Sequence, residues 1–158
     1  METSEDNKAF VRAKNLVLRR LTRRDYSVKE IKQYLKKKGT EEFLIDEVVS
    51  FLLEKKILDD SRCAISIIRQ QVRRAKGSLF IKHKLQQKGI RLSGDDFKSL
   101  LVAAGGIDEL DMAQSIIKCK YPSARADRKV AARAFRALLR RGFSAEIART
   151  VINKDIEE

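Results

Sequence analysis

Two adjacent carboxylates, Asp59 and Asp60, stand ahead of a segment that turns basic: KKILDDSRCAISIIRQQVRRAKG, Lys55 to Gly77. Paired carboxylates can hold a divalent cation or exchange protons. They can also cap a helix, because a side-chain oxygen at the N-cap accepts an orphan amide of the first turn. A metal site would need further ligands converging nearby. The sole histidine, His83, has no carboxylate partner at a ligand-like spacing. Capping is therefore the expectation, with Asp59 as N-cap and Asp60 at the positive end of the helix dipole. Leu58 and Cys63 then take the hydrophobic-staple positions on either side of the cap. Asp95, Asp96, Asp108, Glu109 and Asp111 also stand where helices begin and read the same way.

Nucleophilic chemistry finds little support. The chain has no Gly-rich phosphate loop, no G-x-S-x-G and no HExxH. Cys63 and Cys119 lie far apart with no CxxC, and each falls on an apolar stripe. Both read as reduced, buried core thiols of a cytoplasmic protein. Neither catalysis nor a cofactor is expected.

The bases carry more information. Arg62, Arg69, Arg73 and Lys76 recur at helical spacing opposite Ile65, Ile68 and Val72, with Arg74 alongside. Arg12, Arg19, Arg20, Arg23 and Arg24 form a similar stripe nearer the start. Arg125, Lys129, Arg133, Arg136 and Arg140 form the longest, beside Phe135, Leu138 and Leu139, with Arg141 closing it. A charged helix face is often only a solvated one. Here acids are scarce within the stripes, so neighbouring charges repel rather than neutralise. Arginine also outnumbers lysine in them, and its planar fork suits phosphate and carboxylate. The net charge of +13 and pI near 10.0 favour a polyanionic partner. Few aromatics interleave with the bases, so stacking on single-stranded bases is not expected.

What positions these stripes is a repeat. EIKQYLKKKG, FIKHKLQQKG and AFRALLRRGF align on Gly39, Gly89 and Gly142, which lie 50 and 53 residues apart. Each glycine has a leucine four residues earlier (Leu35, Leu85, Leu138) and a base just before it (Lys38, Lys88, Arg141). A glycine after a basic last turn is a helix C-cap signature. Apolar pairs spaced i,i+4 follow each one: Leu44/Val48, Phe97/Leu101 and Ile147/Val151. Ser27 and Glu30 have the spacing of a capping box. A further apolar-periodic helix precedes each shared one, and no segment alternates long enough for a strand. The pattern predicts an all-α chain of three tandem three-helix repeats, over residues 1–57, 58–107 and 108–158, in an elongated array. The polar start METSEDNKAF lacks the order of a secretion signal. No apolar run approaches the ~20 residues needed to cross a bilayer, so no membrane partner is expected.

LTRRDYSVKEIKQYLKKKGT (21–40), ILDDSRCA (57–64), KGSLFIKHKLQQKGI (76–90) and LLRRGFSAEIA (138–148) together resemble the RecX family of bacterial RecA regulators. The most specific pieces are the R-D-x-S-x-x-E-[LI] box, the L-D-D-x-R joint and the Q-K-G-I turn. The resemblance implies three tandem three-helix repeats and a cytoplasmic, non-enzymatic protein without cofactor. It also implies binding to the RecA nucleoprotein filament, with suppression of ATP hydrolysis, strand exchange and coprotease action in recombination and the SOS response. Two places depart from the family pattern. Cys63 stands where an aromatic is usual, and Gly77-Ser78-Leu79-Phe80 stands where Gly-Pro-Arg-Arg often occurs.

The residues expected to meet DNA or the filament are Arg19, Arg20, Arg23 and Arg24, then Arg69, Arg73, Arg74 and Lys76, then Arg133, Arg136, Arg140 and Arg141. Binding to single- and double-stranded DNA alone is expected to be weak and sequence-independent. The alternative is a helix-turn-helix-like nucleic-acid-binding module that acts without RecA.

Overall fold

The structure is a computed structural model that describes residues 4–153. Residues 1–3 of the polar start and residues 154–158 of the third expected repeat lie outside the described residues. The described chain forms nine α-helices and no strand: α1 (Ser4–Leu21), α2 (Val28–Lys37), α3 (Glu42–Glu54), α4 (Asp60–Arg73), α5 (Ser78–Gln87), α6 (Gly94–Ala103), α7 (Glu109–Lys120), α8 (Arg128–Arg141) and α9 (Ala145–Asn153). The fold is all-α, built of three three-helix domains in chain order. Among the described residues no helix is long and apolar enough to cross a membrane.

The chain divides into two compact units. One holds residues up to Ser66 together with Gln86–Arg91; the other holds Ile67–Leu85 and the residues from Leu92 on. The first is centred on Val17, Ile31, Leu35, Val48, Leu52 and Leu58, all buried. The second contains a cluster of Ala113, Ile117, Ala134, Leu138, Phe143 and Val151. Within helices these residues recur four apart (Ile31/Leu35, Val48/Leu52, Ala113/Ile117, Ala134/Leu138), the spacing that puts side chains on one helix face.

The expected caps form. Ser27 accepts the Glu30 amide, and Glu30 accepts the Ser27 amide, which closes the capping box of α2. Asp59 Oδ1 accepts the amides of Ser61 (2.8 Å) and Arg62 (3.2 Å) at the start of α4. Asp108 accepts the Asp111 amide at 2.9 Å, and Asp127 caps α8. Ser93 and Asp96 form a second capping box at α6. Gly39, Gly89 and Gly142 all have φ near +80°, the left-handed geometry of a helix C-cap.

In two of the acid pairs the second acid does something the sequence does not advertise. Asp60 Oδ1 accepts the Val28 amide, the first of α2, at 2.8 Å. Glu109 accepts both the amide (2.7 Å) and the hydroxyl (2.9 Å) of Ser78, the first residue of α5. In Asp59-Asp60 and Asp108-Glu109 alike, the first carboxylate caps its own helix. The second satisfies an orphan amide of a helix in the preceding domain. The acid pairs are thus joints between repeats.

The glycines complete these joints. A Cβ on Gly142 would lie 2.3 Å from the Phe80 nitrogen, and one on Gly89 would lie 2.7 Å from Lys29 Cδ. Gly39 follows the second helix of the first repeat, and a Cβ there finds nothing within 4 Å among the described residues. The same joints use the base before each glycine. The Ser27 hydroxyl donates to the Lys88 carbonyl at 2.7 Å, and the Gly77 amide donates to the Arg141 carbonyl at 2.9 Å.

Candidate nucleic-acid interface

The predicted basic residues fall into two structural classes. In the first unit, Arg19 and Arg23 are exposed and make no side-chain hydrogen bond or ion pair among the described residues. Arg19 lines an open cleft of about 760 Å³ along α1 with Arg12, Asn15 and Lys8. Arg20 and Arg24 are engaged instead. Arg20 sits between two rings, 4.6 Å from the Tyr26 centroid and 4.3 Å from that of Tyr34. Arg24 lies 3.7 Å over Tyr26 and pairs with Glu30 at 2.9 Å. Arg62 is also held internally, donating to Asp25 (2.9 Å) and to the Ile57 carbonyl (2.7 Å).

Glu30 is the centre of this knot. Its carboxylate takes Arg24, Lys88 and the Ser27 amide. Burial opposes its ionisation, but the hydrogen bonds from Arg24 and Lys88 outweigh that and hold the carboxyl at about 2. Cys63 lies buried in the same unit. Its thiol is pushed up to about 12, first by burial and then by the negative charges of Glu30, Asp60 and Asp25. A thiol so far from ionisation is a poor nucleophile. Cys119 corrects the expectation of two buried thiols, because it is exposed. The buried face of α7 runs through Ala113, Ile116 and Ile117. At 100° per residue, Cys119 points about a third of a turn away from it.

In the second unit, Arg69 donates to the carbonyls of Ala103 (3.2 Å) and Ala104 (3.3 Å) and so caps the end of α6. Lys76 packs 4.3 Å over the Phe80 ring. Arg141 donates to the carbonyls of Arg74 (3.3 Å) and Ala75 (3.4 Å). Arg73, Arg74, Arg133, Arg136 and Arg140 are exposed, with no side-chain partner among the described residues. Along α8, Lys129, Arg133, Arg136 and Arg140 follow i, i+4, i+7 and i+11, so they share one face. The faces beside it hold the buried Val130, Ala134, Ala137 and Leu138 and, opposite these, a part-exposed apolar ridge of Ala131, Ala132, Phe135 and Leu139.

That ridge brings in residues missing from the sequence-based set. Arg128, Arg136 and Arg149 surround a cleft of about 350 Å³ floored by Ala131, Ala132, Phe135 and Ile152. The Arg149 guanidinium lies 5.9 Å from the Phe135 centroid. The signal was present as Arg128/Ala132/Phe135 at helical spacing. Arg149, however, comes from α9 and no local spacing ties it to α8.

Comparison with known proteins gives these surfaces a context. Family models match in order: RecX, first three-helix domain, over residues 13–52; RecX, second three-helix domain, over 59–91; and RecX, third three-helix domain, over 107–152. A protein named Regulatory protein RecX from Halorhodospira halophila is 29% identical over 147 residues, 92% of this chain and 89% of the relative. One of the same name from Streptococcus pyogenes is 32% identical over 156 residues. That match covers 94% of this chain, which spans only 58% of the streptococcal protein. The crystal structure of RecX from Lactobacillus salivarius superposes with a TM-score of 0.79 at 22% identity, covering 94% of this chain and 97% of that one. A second RecX crystal structure gives 0.75 at 20% identity, covering 92% and 72%. At these identities the structural likeness speaks for the fold.

Proposed function

The chain belongs to the RecX family, and from that premise we propose that it is a non-enzymatic regulator that binds the RecA–DNA filament and lowers its ATPase, strand exchange and coprotease activity. The observation that carries the reading is the set of exposed arginines without an internal partner. Arg19, Arg23, Arg73, Arg74, Arg133, Arg136 and Arg140 are held on rigid helices or at their ends, exposed, and without an internal acid to neutralise them. Such groups lose little on binding phosphate or an acidic protein face, because no internal pair has to break. Arg20, Arg24, Arg69, Lys76 and Arg141 support those surfaces by holding helices and joints in place. Binding to DNA alone is weak, indifferent to sequence and steeply salt-dependent, since it rests on counterion release. Such a protein acts in the cytoplasm, where RecA works.

The test is RecA-dependent ATP hydrolysis on single-stranded DNA, titrated with the full chain. The expected result is inhibition at less than one copy per RecA protomer. An ATPase rate unchanged at molar excess overturns the reading. Tight, salt-insensitive binding to one duplex sequence would favour an independent helix-turn-helix module instead.

A further inference from the structure

We propose that the cleft between α8 and α9 is a nucleobase subsite, which takes one unstacked base of single-stranded DNA together with its flanking phosphates. The proposal rests on the DNA-contact part of the reading above and deepens it. The floor is apolar and partly aromatic: Ala131, Ala132, Phe135 and Ile152. The rim is Arg128, Arg136 and Arg149, with Asn153 at one end, and no carboxylate among the described residues lines the cleft. An apolar floor within a cationic rim is complementary to a flat base carried on a charged backbone. Its volume of about 350 Å³ is at the small end of the range for ligand pockets, which suits one base rather than an extended ligand.

Duplex DNA matches this surface poorly. Its bases are stacked inward, so a duplex could satisfy the arginines but would leave the floor of Ala131, Ala132 and Phe135 unmatched. A single strand offers a free π-face, and aromatic side chains and guanidinium planes are what such faces stack on. Arg128, Ala131, Ile152 and Asn153 also line an adjoining cleft of about 330 Å³, so the strand has a continuous path away from the base. Leu139, 39% exposed and one turn beyond Phe135, prolongs the apolar ridge toward the other end of α8.

The experiment is fluorescence anisotropy of the full chain with an end-labelled oligothymidylate, an abasic strand of the same length, and a duplex, at one fixed salt concentration. Wild type should prefer the oligothymidylate to the abasic strand. Phe135→Leu keeps apolar bulk but removes the ring. It should weaken oligothymidylate binding roughly five-fold or more and leave the abasic strand unaffected. Arg149→Gln and Arg128→Gln should weaken both strands. Equal wild-type affinity for the base-bearing and abasic strands overturns the subsite alone, and that comparison needs no variant to fold. Undetectable binding to every strand overturns the DNA contact of the parent reading as well. If Phe135→Leu spares DNA binding but dissolves a dimer seen by sedimentation, the cleft is an interface between copies and the proposal fails.

Discussion

Alanine substitution at the three glycines that follow the second helix of each repeat should produce a graded series of losses, although all three have the same backbone conformation. Gly39, Gly89 and Gly142 have φ of +77°, +79° and +87°. Left-handed geometry costs a residue bearing a Cβ about 1–2 kcal/mol. A gain of about 0.4–1 kcal/mol from stiffening the unfolded chain offsets part of that. Gly39→Ala should therefore lose only about 1 kcal/mol, because its Cβ enters open space. At Gly89 the new Cβ lies 2.7–2.8 Å from the Lys29 side chain, which can swing partly aside. Overpacking adds about 1 kcal/mol there. At Gly142 the obstacle is the Phe80 backbone, 2.3 Å from the new Cβ at its nitrogen. Relief means separating the turns and stretching the Gly77–Arg141 (2.9 Å) and Leu79–Gly142 (3.1 Å) hydrogen bonds. With about 1–3 kcal/mol of overpacking and about 1 kcal/mol for each bond, the loss reaches about 4–6 kcal/mol. Urea unfolding followed by circular dichroism should rank the midpoints wild type, Gly39→Ala, Gly89→Ala, Gly142→Ala. Indistinguishable midpoints for the three variants would show that the glycines serve only as C-caps and that the joints do not matter.

Glu30→Gln should destabilise near neutral pH and matter little near pH 2. A carboxyl at about 2 when folded and near 4.5 when unfolded contributes stability that is complete above about pH 5 and lost as pH falls toward 2. The ceiling is about 3.4 kcal/mol; solvent around the half-exposed Arg24 (46%) reduces it to about 1–2 kcal/mol, readable as a pH-dependent unfolding midpoint. Ellman's reagent should react quickly with Cys119 and reach Cys63 only after denaturation; two fast thiols in the native protein would contradict the burial. Asp59→Ala should cost about 0.5–2 kcal/mol of unfolding free energy, and neither Mg²⁺ nor EDTA should move the wild-type Tm. Gln substitution of Arg133, Arg136 and Arg140 should change stability by less than about 0.5 kcal/mol. It should flatten the log–log salt dependence of DNA binding by about 0.7–0.9 per lost phosphate contact. Gln at Arg24, Arg69 or Arg141 should instead lower the unfolding midpoint, each losing about 0.5–1.5 kcal/mol per hydrogen bond.

Local features were legible in the sequence, and contacts between distant segments were not. The Ser27/Glu30 capping box, the Asp59 cap and the glycine C-caps each depend on residues within four positions of one another, and spacing alone reveals them. The role of Asp60 depends on Val28, and that of Glu109 on Ser78, partners 32 and 31 residues away. Only the recurrence of an acid pair hinted that the second acid had a separate purpose. Cys119 misled because it stands three residues after Ile116, yet the buried face of α7 drifts past it toward Tyr121. The Phe135 cleft escaped notice because aromatics are scarce in the stripes as a whole, and the cleft needs only one, with Arg149 supplied by another helix.

The repeat also decides which bases are free. Lys88 and Arg141 occupy the same position, just before the glycine that follows the second helix of their repeat. Each has its carbonyl in a joint, and each side chain reaches a group of the preceding domain or its turn: Glu30 for Lys88, the Arg74 and Ala75 carbonyls for Arg141. Lys38 holds that position in the first repeat, where the described residues form no such joint, and it stays exposed beside Tyr34. A formal charge of +13 therefore overstates what the protein can offer a polyanion. Bases at joint positions are spent on the scaffold, while those on the outer faces of α1, α4 and α8 keep their full charge for a partner. It follows that a charge-removal series sorted by position in the repeat should separate binding from folding more cleanly than one sorted by stripe.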